Sequence, residues 1–300
     1  MSALADTGQE ARRGHLAMLA FSALIAGSFS LGGQVANDIA PAALNALRFA
    51  LSAALVGVVI GLRGGWGDAR RAMAAPWRYT LLGGLFAVYF VTMFEGLKTA
   101  PPVSAAAVFT LTPVMSGLFG YLLLRQVMGG RIVLALCLGA MGALWVIFRA
   151  DPAALMAFEI GRGEAIFFWG CVAHAFYTPL VRVLNRGEPI LVFTFWTLLT
   201  TAVIIGAYGW TDIRATDWGA LRPLVWVAIL YTAVAASSMT VFLVQFATMR
   251  LPSSKVMAYT YLTPSWVLIW ELALGQALPP VLVLGGVGLT IAALVLLLKD

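Results

Sequence analysis

The sequence predicts an all-α membrane protein of ten transmembrane helices, arranged as two inverted five-helix repeats. Three observations predict it. Of 300 residues, 61% are hydrophobic and 11% charged, with a mean hydropathy of +0.92; a soluble domain has about 45–50% apolar and about 25% charged residues. The apolar residues fall in ten continuous runs, each near the length of about 20 residues that a helix needs to cross a hydrocarbon core of about 30 Å. A proline-bearing triplet recurs in both halves, Leu111-Thr112-Pro113 and Leu262-Thr263-Pro264. A membrane barrel would instead alternate apolar and polar residues over about ten positions.

The first run, His15 to Gln34, follows a short polar start with Arg12 and Arg13. It exceeds the apolar core of a signal peptide and lacks a small-residue cleavage site, so it is expected to be retained. The second run (Pro41 to Leu62), the fourth (Pro102 to Leu124), the seventh (Pro189 to Trp210) and the tenth (Pro279 to Leu298) open on proline. Its missing N–H is harmless in a first turn. Arg78 to Leu97 and Ile132 to Phe148 are the third and fifth runs. Gly163 to Leu184, Arg222 to Thr248 and Ser253 to Leu274 are the sixth, eighth and ninth. The halves 1–150 and 151–300 thus hold five spans each. In the fifth and tenth, Gly139 with Ala143, and Gly285, Gly286 and Gly288, offer small faces for close helix contact and read as buttresses. Cys137 and Cys171 lie inside apolar runs and have neither a disulfide framework nor zinc spacing.

Charge gives the sidedness. Alternate loops collect Arg12, Arg13, Arg63, Arg70, Arg71, Arg78, Arg125, Arg131, Arg182, Arg186, Arg250, Lys255 and Lys299 on one side. Only Lys98, Arg149, Arg162, Arg214 and Arg222 fall on the other. Such a bias across short loops places both termini in the cytoplasm; the expected location is the inner membrane. The net charge of +6 then reflects topology, and no nucleic-acid partner is expected.

Setting Pro113 on Pro264, an offset of 151, also aligns Pro101 with Pro252 and Ala107 with Ala258. Five spans is an odd number, so the second copy lies inverted, as in secondary transporters with alternating access. Pro113 and Pro264 fall about halfway along their spans and are expected to kink them. Irregular backbone at that depth needs protein or a watery cavity around it, so the fourth and ninth spans are candidates for lining a substrate path. Pro179 has no counterpart in the first span.

The turn Pro102-Val103-Ser104-Ala105-Ala106-Ala107 runs into the first Leu-Thr-Pro and then Leu122-Leu123-Leu124-Arg125-Gln126, with an echo ending Ala273-Leu274-Gly275-Gln276. This pattern resembles the paired EamA domains of the drug/metabolite transporter superfamily over the whole chain. The nearest resemblance is to the YddG-like exporters, associated with aromatic amino acids and methyl viologen. It implies a cavity enclosed by the first four spans of each half. The family commonly has a glutamate where Gln126 and Gln276 stand, so a role tied to that carboxylate does not carry over.

Arg48 lies within the second span and calls for a partner; Glu95 and Glu271 are the candidates, with Lys98 competing for Glu95. It either holds a substrate carboxylate or forms a structural ion pair between helices. His174, near the middle of the sixth span, suits a proton relay or a neutral core hydrogen bond. Deep aromatic residues, Tyr89, Phe94, Trp169, Phe176, Tyr177, Tyr259, Tyr261 and Trp266, either stack on an aromatic substrate or pack between helices. Ser237, Ser238, Thr110 and Thr112 add hydroxyls at depth. The expected function is a secondary transporter exporting amino acids and other small amphiphilic metabolites by alternating access; the alternative is a proton-coupled multidrug or cation exporter. Metalloprotease, phosphate-loop and nucleophile motifs are absent, so no enzyme activity, cofactor or metal is expected. The expected partners are the substrate and the lipid bilayer, with the chain a monomer or a weak homodimer.

Overall fold

Lipid offers a peptide group nothing to bond with, so apolar runs of this length close their backbone hydrogen bonds within themselves. The computed structural model describes residues 2–127, 129–157, 160–277 and 279–298, and among the described residues no strand occurs. Ten spans follow one another: α1 (Ser2–Val35), α2 (Pro41–Leu62), α3 (Trp77–Gly96), α4 (Pro102–Phe109 and Thr112–Leu124), α5 (Gly130–Ile147), α6 (Arg162–Leu184), α7 (Ile190–Tyr208), α8 (Pro223–Thr248), α9 (Ser253–Ala273) and α10 (Val281–Leu298). Short helices Trp66–Ala72, Pro152–Ala157 and Trp210–Ala215 lie in the connections. Eight of the ten are long and apolar enough to cross a membrane; α9 is broken into short pieces and α10 is a shorter apolar helix. Lys299, part of the charge asymmetry, lies outside the described residues.

Several boundaries differ from expectation. The helix of α1 begins well before His15, because Glu10 bonds both Arg13 and Arg250 at 2.6 Å and holds the charged turns to the rest of the protein. Pro189 precedes α7 rather than opening it, its carbonyl accepting the Phe193 N–H at 3.0 Å, and Pro223 rather than Arg222 opens α8.

The packing pairs follow a pseudo-twofold axis. α2 lies against α7, and α5 against α10, each span with its own counterpart; α3 packs on α6 as α8 packs on α1. Glycine permits the close approach of α5 and α10. A Cβ on Gly142 would lie 2.6 Å from the Gly286 carbonyl oxygen, and one on Gly286 would lie 2.7 Å from that of Gly142. The expected buttress of α5 and α10 is therefore real, although Gly285 and Gly288 face open space.

Pro113 and Pro264 do not kink continuous helices. Each is the second residue of a fresh segment, where no N–H is required, and the break falls just before it: at Thr110 and Leu111 in α4, and in the 3-10 turn Tyr259–Leu262 in α9. The Thr112 hydroxyl donates to the Phe109 carbonyl at 2.6 Å, supplying the donor that Pro113 lacks, and the Thr110 hydroxyl donates at 2.6 Å to the Ala107 carbonyl, which also accepts the Thr110 N–H at 3.0 Å. The two broken spans cross there, with Thr112 Oγ1 3.3 Å from Thr260 Oγ1. Near the other end of α4, Gln126 reaches across to α9, where its Oε1 accepts the Ser253 N–H at 3.1 Å and so caps the second broken span.

Candidate functional site

The middle of α8 is a π-helical turn, Val234–Met239. Such a turn displaces backbone carbonyls from their usual partners, and often marks a functional position. Two hydroxyls and an arginine gather on it. Ser52 of α2 and Ser238 donate to the Ala233 carbonyl at 2.8 and 2.9 Å, and Arg48 donates from Nη2 to the Ala236 carbonyl at 2.7 Å and from Nε to Ser237 Oγ at 2.6 Å. A longer bond, 3.4 Å, runs from Nη1 to Asn45 Oδ1.

Arg48 is fully buried, and among the described residues no carboxylate lies within ion-pairing distance of it. Its guanidinium sits 4.1 Å from the centre of the Phe90 ring, with Phe49 at 5.2 Å and Phe94 at 5.8 Å. The rings supply part of the stabilisation that an anion would give. Three of its five N–H donors are used, which leaves two.

The expected acid partners are elsewhere. Glu95 is partly exposed and pairs with Lys98 at 2.9 Å, one turn along its own helix, because its side chain leaves α3 on the outer side while Phe94 beside it points inward. Glu271 is half-buried on α9, with its Oε1 unpartnered among the described residues.

Next to Phe90 is a closed aromatic cluster. The His174 ring stacks on Tyr89 with centres 4.5 Å apart and lies parallel to Tyr177 at 6.0 Å, while Phe86 packs 4.1 Å from Tyr177. Both ring nitrogens of His174 and the Tyr89 hydroxyl are buried with no partner among the described residues. A cavity of about 10 Å³, room for about one water, touches them and is otherwise lined by Phe21, Ile25, Phe86, Phe90, Thr240, Val241 and Val244. The rings of α1, α3 and α6 thus close the centre between the halves.

Gln245 is a member of this region that sequence reasoning missed. Its Nε2 donates to the Tyr177 hydroxyl at 2.9 Å and its Oε1 accepts from Thr194 at 2.5 Å, linking α6, α7 and α8. The signal was an isolated amide within the apolar run of α8.

Besides Glu95, three expected site residues stand outside this centre. Trp169 is 66% exposed on the outside of α6, since five residues separate it from His174, a turn of about 140° around the helix. It borders a lateral pocket of about 310 Å³ with Phe168 and the buried Glu164, whose Oε1 accepts from Ser104 at 2.7 Å. Tyr261 is buried, but its ring fills the space over Gly139, where a Cβ would fall 2.2 Å from Cζ; it packs toward α5. The Tyr259 hydroxyl lies 3.1 Å from His15 Nδ1 on α1, away from Arg48. A concavity of about 740 Å³ is an open outer groove between α2 and α7 lined by small and apolar side chains such as Ala53, Gly57, Phe195 and Leu199, and Arg48 does not border it.

The comparisons with known proteins agree with this architecture. The model of the EamA-like transporter family matches twice, over residues 12–148 and 161–298. A Bacillus subtilis (strain 168) protein described as the uncharacterized transporter YyaM is 24% identical over 275 residues, covering 91% of this chain and 90% of that protein. One solved crystal structure superposes with a TM-score of 0.73 at 20% identity over 97% of both chains, which shows a shared fold. With both halves matched and ten spans in two inverted sets, this multi-pass membrane protein belongs to the EamA-like transporter family.

Proposed function

We propose that the protein is a secondary carrier that exports amino acids, aromatic ones included, and other small amphiphilic carboxylates by alternating access. In this reading it resides in the cytoplasmic membrane with both termini in the cytoplasm, as the basic loops suggest. The observation that carries it is Arg48: a buried cation with no acidic partner among the described residues, two N–H groups unused and a wall of phenylalanine rings. A buried charge without a counter-ion is costly, and a planar carboxylate matches the guanidinium fork. The rings of Phe90, Phe49 and Phe94 then suit an apolar or aromatic substrate side chain. Arg48 also braces α2 on α8, so the structural role and the binding role belong to the same side chain.

The test is counterflow in proteoliposomes with amino acids and with the amines that lack their carboxylates. Amino acids are expected to exchange saturably and the amines not; Arg48→Lys, which keeps the charge but loses the fork, is expected to weaken the exchange about tenfold or more, the equivalent of about 1.4 kcal/mol. Equal counterflow of amines and amino acids removes this reading.

One observation favours a second reading, proton-coupled export of organic cations: the two unpartnered nitrogens of His174 beside the central cavity. Under it, an imposed pH gradient drives cation uptake and His174→Phe abolishes the response.

A further inference from the structure

Two arginines at the starts of α3 and α8 make the same pair of contacts at opposite ends of the bundle. Arg78 donates from Nη1 to the Leu184 carbonyl at 2.7 Å and from Nη2 to Glu188 Oε1 at 2.5 Å. Arg222 donates from Nη2 to the Gln34 carbonyl at 3.0 Å and to Asp38 Oδ2 through Nη2 and through Nε, the latter at 2.9 Å. Each arginine therefore grips a carbonyl at the end of a first span and a carboxylate four residues further on. Both acceptors are offset by 150 between the halves, Gln34 against Leu184 and Asp38 against Glu188. α3 and α8 are the third spans of their repeats, and α1 and α6 the first. This is one contact present twice, and inversion puts one copy at the face bearing the basic loops and the other at the opposite face.

We propose that Arg78–Glu188 and Arg222–Asp38 are the two latches of the alternating-access cycle, one for each face of the membrane. Each ties the third span of one repeat to the connection after the first span of the other. Rocking one repeat against the other to open a face must break the latch at that face and can leave the other whole. Both are made in this structure, which agrees with the closed aromatic centre.

The latches are unequal. Side chains of Arg78 and Glu188 are 3% and 13% exposed, whereas those of Arg222 and Asp38 are 58% and 28% exposed. Arg78 also reaches the Ala75 carbonyl at 3.3 Å, and Glu10–Arg250 adds a second contact between repeats at the same basic face. Exposed ion pairs contribute little and buried, bonded ones resist breaking, so the face closed by Arg222 and Asp38 opens more readily. The Glu95–Lys98 pair at that face joins neighbours one turn apart and holds nothing across the bundle.

The proposal rests on the carrier reading, but its test reads accessibility instead of transport. A reporter thiol is placed on the central cavity as Thr240→Cys in the full chain carrying Cys137→Ser and Cys171→Ala. It is labelled with a membrane-impermeant maleimide from each face of oriented proteoliposomes. Asp38→Asn is expected to raise labelling from its own face by about two- to fivefold, and Glu188→Gln from the basic face by about tenfold, each with the other face unchanged. Combining Asp38→Arg with Arg222→Asp is expected to return labelling to the parent level. A rise from the same face in both variants, from both faces at once, or from neither overturns the latches. If Glu188→Gln fails to fold, the exposed Asp38 arm and its charge swap decide the question alone. Paired, opposite changes in a protein that shows no amino-acid counterflow keep the latches and remove the substrate reading.

Discussion

Gln126 shows how much a single side chain can be asked to do. Its Oε1 caps the first N–H of α9 from the end of α4. Replacing it with alanine leaves that donor unsatisfied and is expected to cost about 0.5–2 kcal/mol in thermal unfolding of the detergent-solubilised protein. Gln126→Glu keeps the acceptor and puts a negative charge at the positive end of a helix, so it should be at least as stable. An alanine variant with unchanged stability would show that the cap is not made. Arg48 was legible as a residue needing a partner, but the partner was not: Ala236 and Ser237 lie 188 and 189 positions away, and the accepting carbonyl is one that the π-helical turn displaces. No pattern in the apolar run announces that turn.

Among the elements, the spans and their breaks were legible because a continuous apolar run and a proline act through the chain's own neighbourhood. The register between helices acts through close approach. Gly142 and Gly286 let α5 and α10 touch backbone to backbone, and a larger residue must push the two apart. Gly142→Leu is expected to destabilise the protein by about 1–3 kcal/mol. Gly285→Leu, facing open space on the neighbouring side of α10, serves as the control and is expected to leave the melting temperature unchanged. Equal losses at both positions would mean that leucine is unfavourable in α10 and α5 for reasons other than contact. Of the five small residues read as buttress faces, the structure puts Gly286 at the α5–α10 contact, and gives Gly139 to the Tyr261 ring.

At the scale of the molecule, acid sensitivity is expected at the basic face. Burial works to raise the Glu188 carboxyl, but the hydrogen bonds from Arg78 and from the Arg186 N–H outweigh it and hold the group below its ordinary value. Tyr79 also faces it, its hydroxyl 3.5 Å away. A carboxylate so depressed stabilises the fold in full above the ordinary carboxylate value, and the contribution disappears as pH falls through the depressed one. Melting temperature measured against pH should therefore stay level down to about pH 5 and fall below that. In Glu188→Gln the fall should be smaller and the neutral-pH stability lower. An identical acid limb in the two proteins would show that Arg78 and Glu188 do not form a stabilising pair.

Sequence alone determined that the chain crosses a membrane as helices, where it turns, that its charge is lopsided across the bilayer, and that it contains two copies of one unit. Each of those follows from composition and local order, to which lipid responds directly. Tertiary structure decided which side of each helix faces inward: Trp169 faces outward, Phe94 and Gln245 face inward, and Arg222 meets Asp38 from the other half of the chain. Hydropathy cannot separate these cases, because lipid and protein interior are both apolar, and only the neighbours a side chain meets distinguish one from the other.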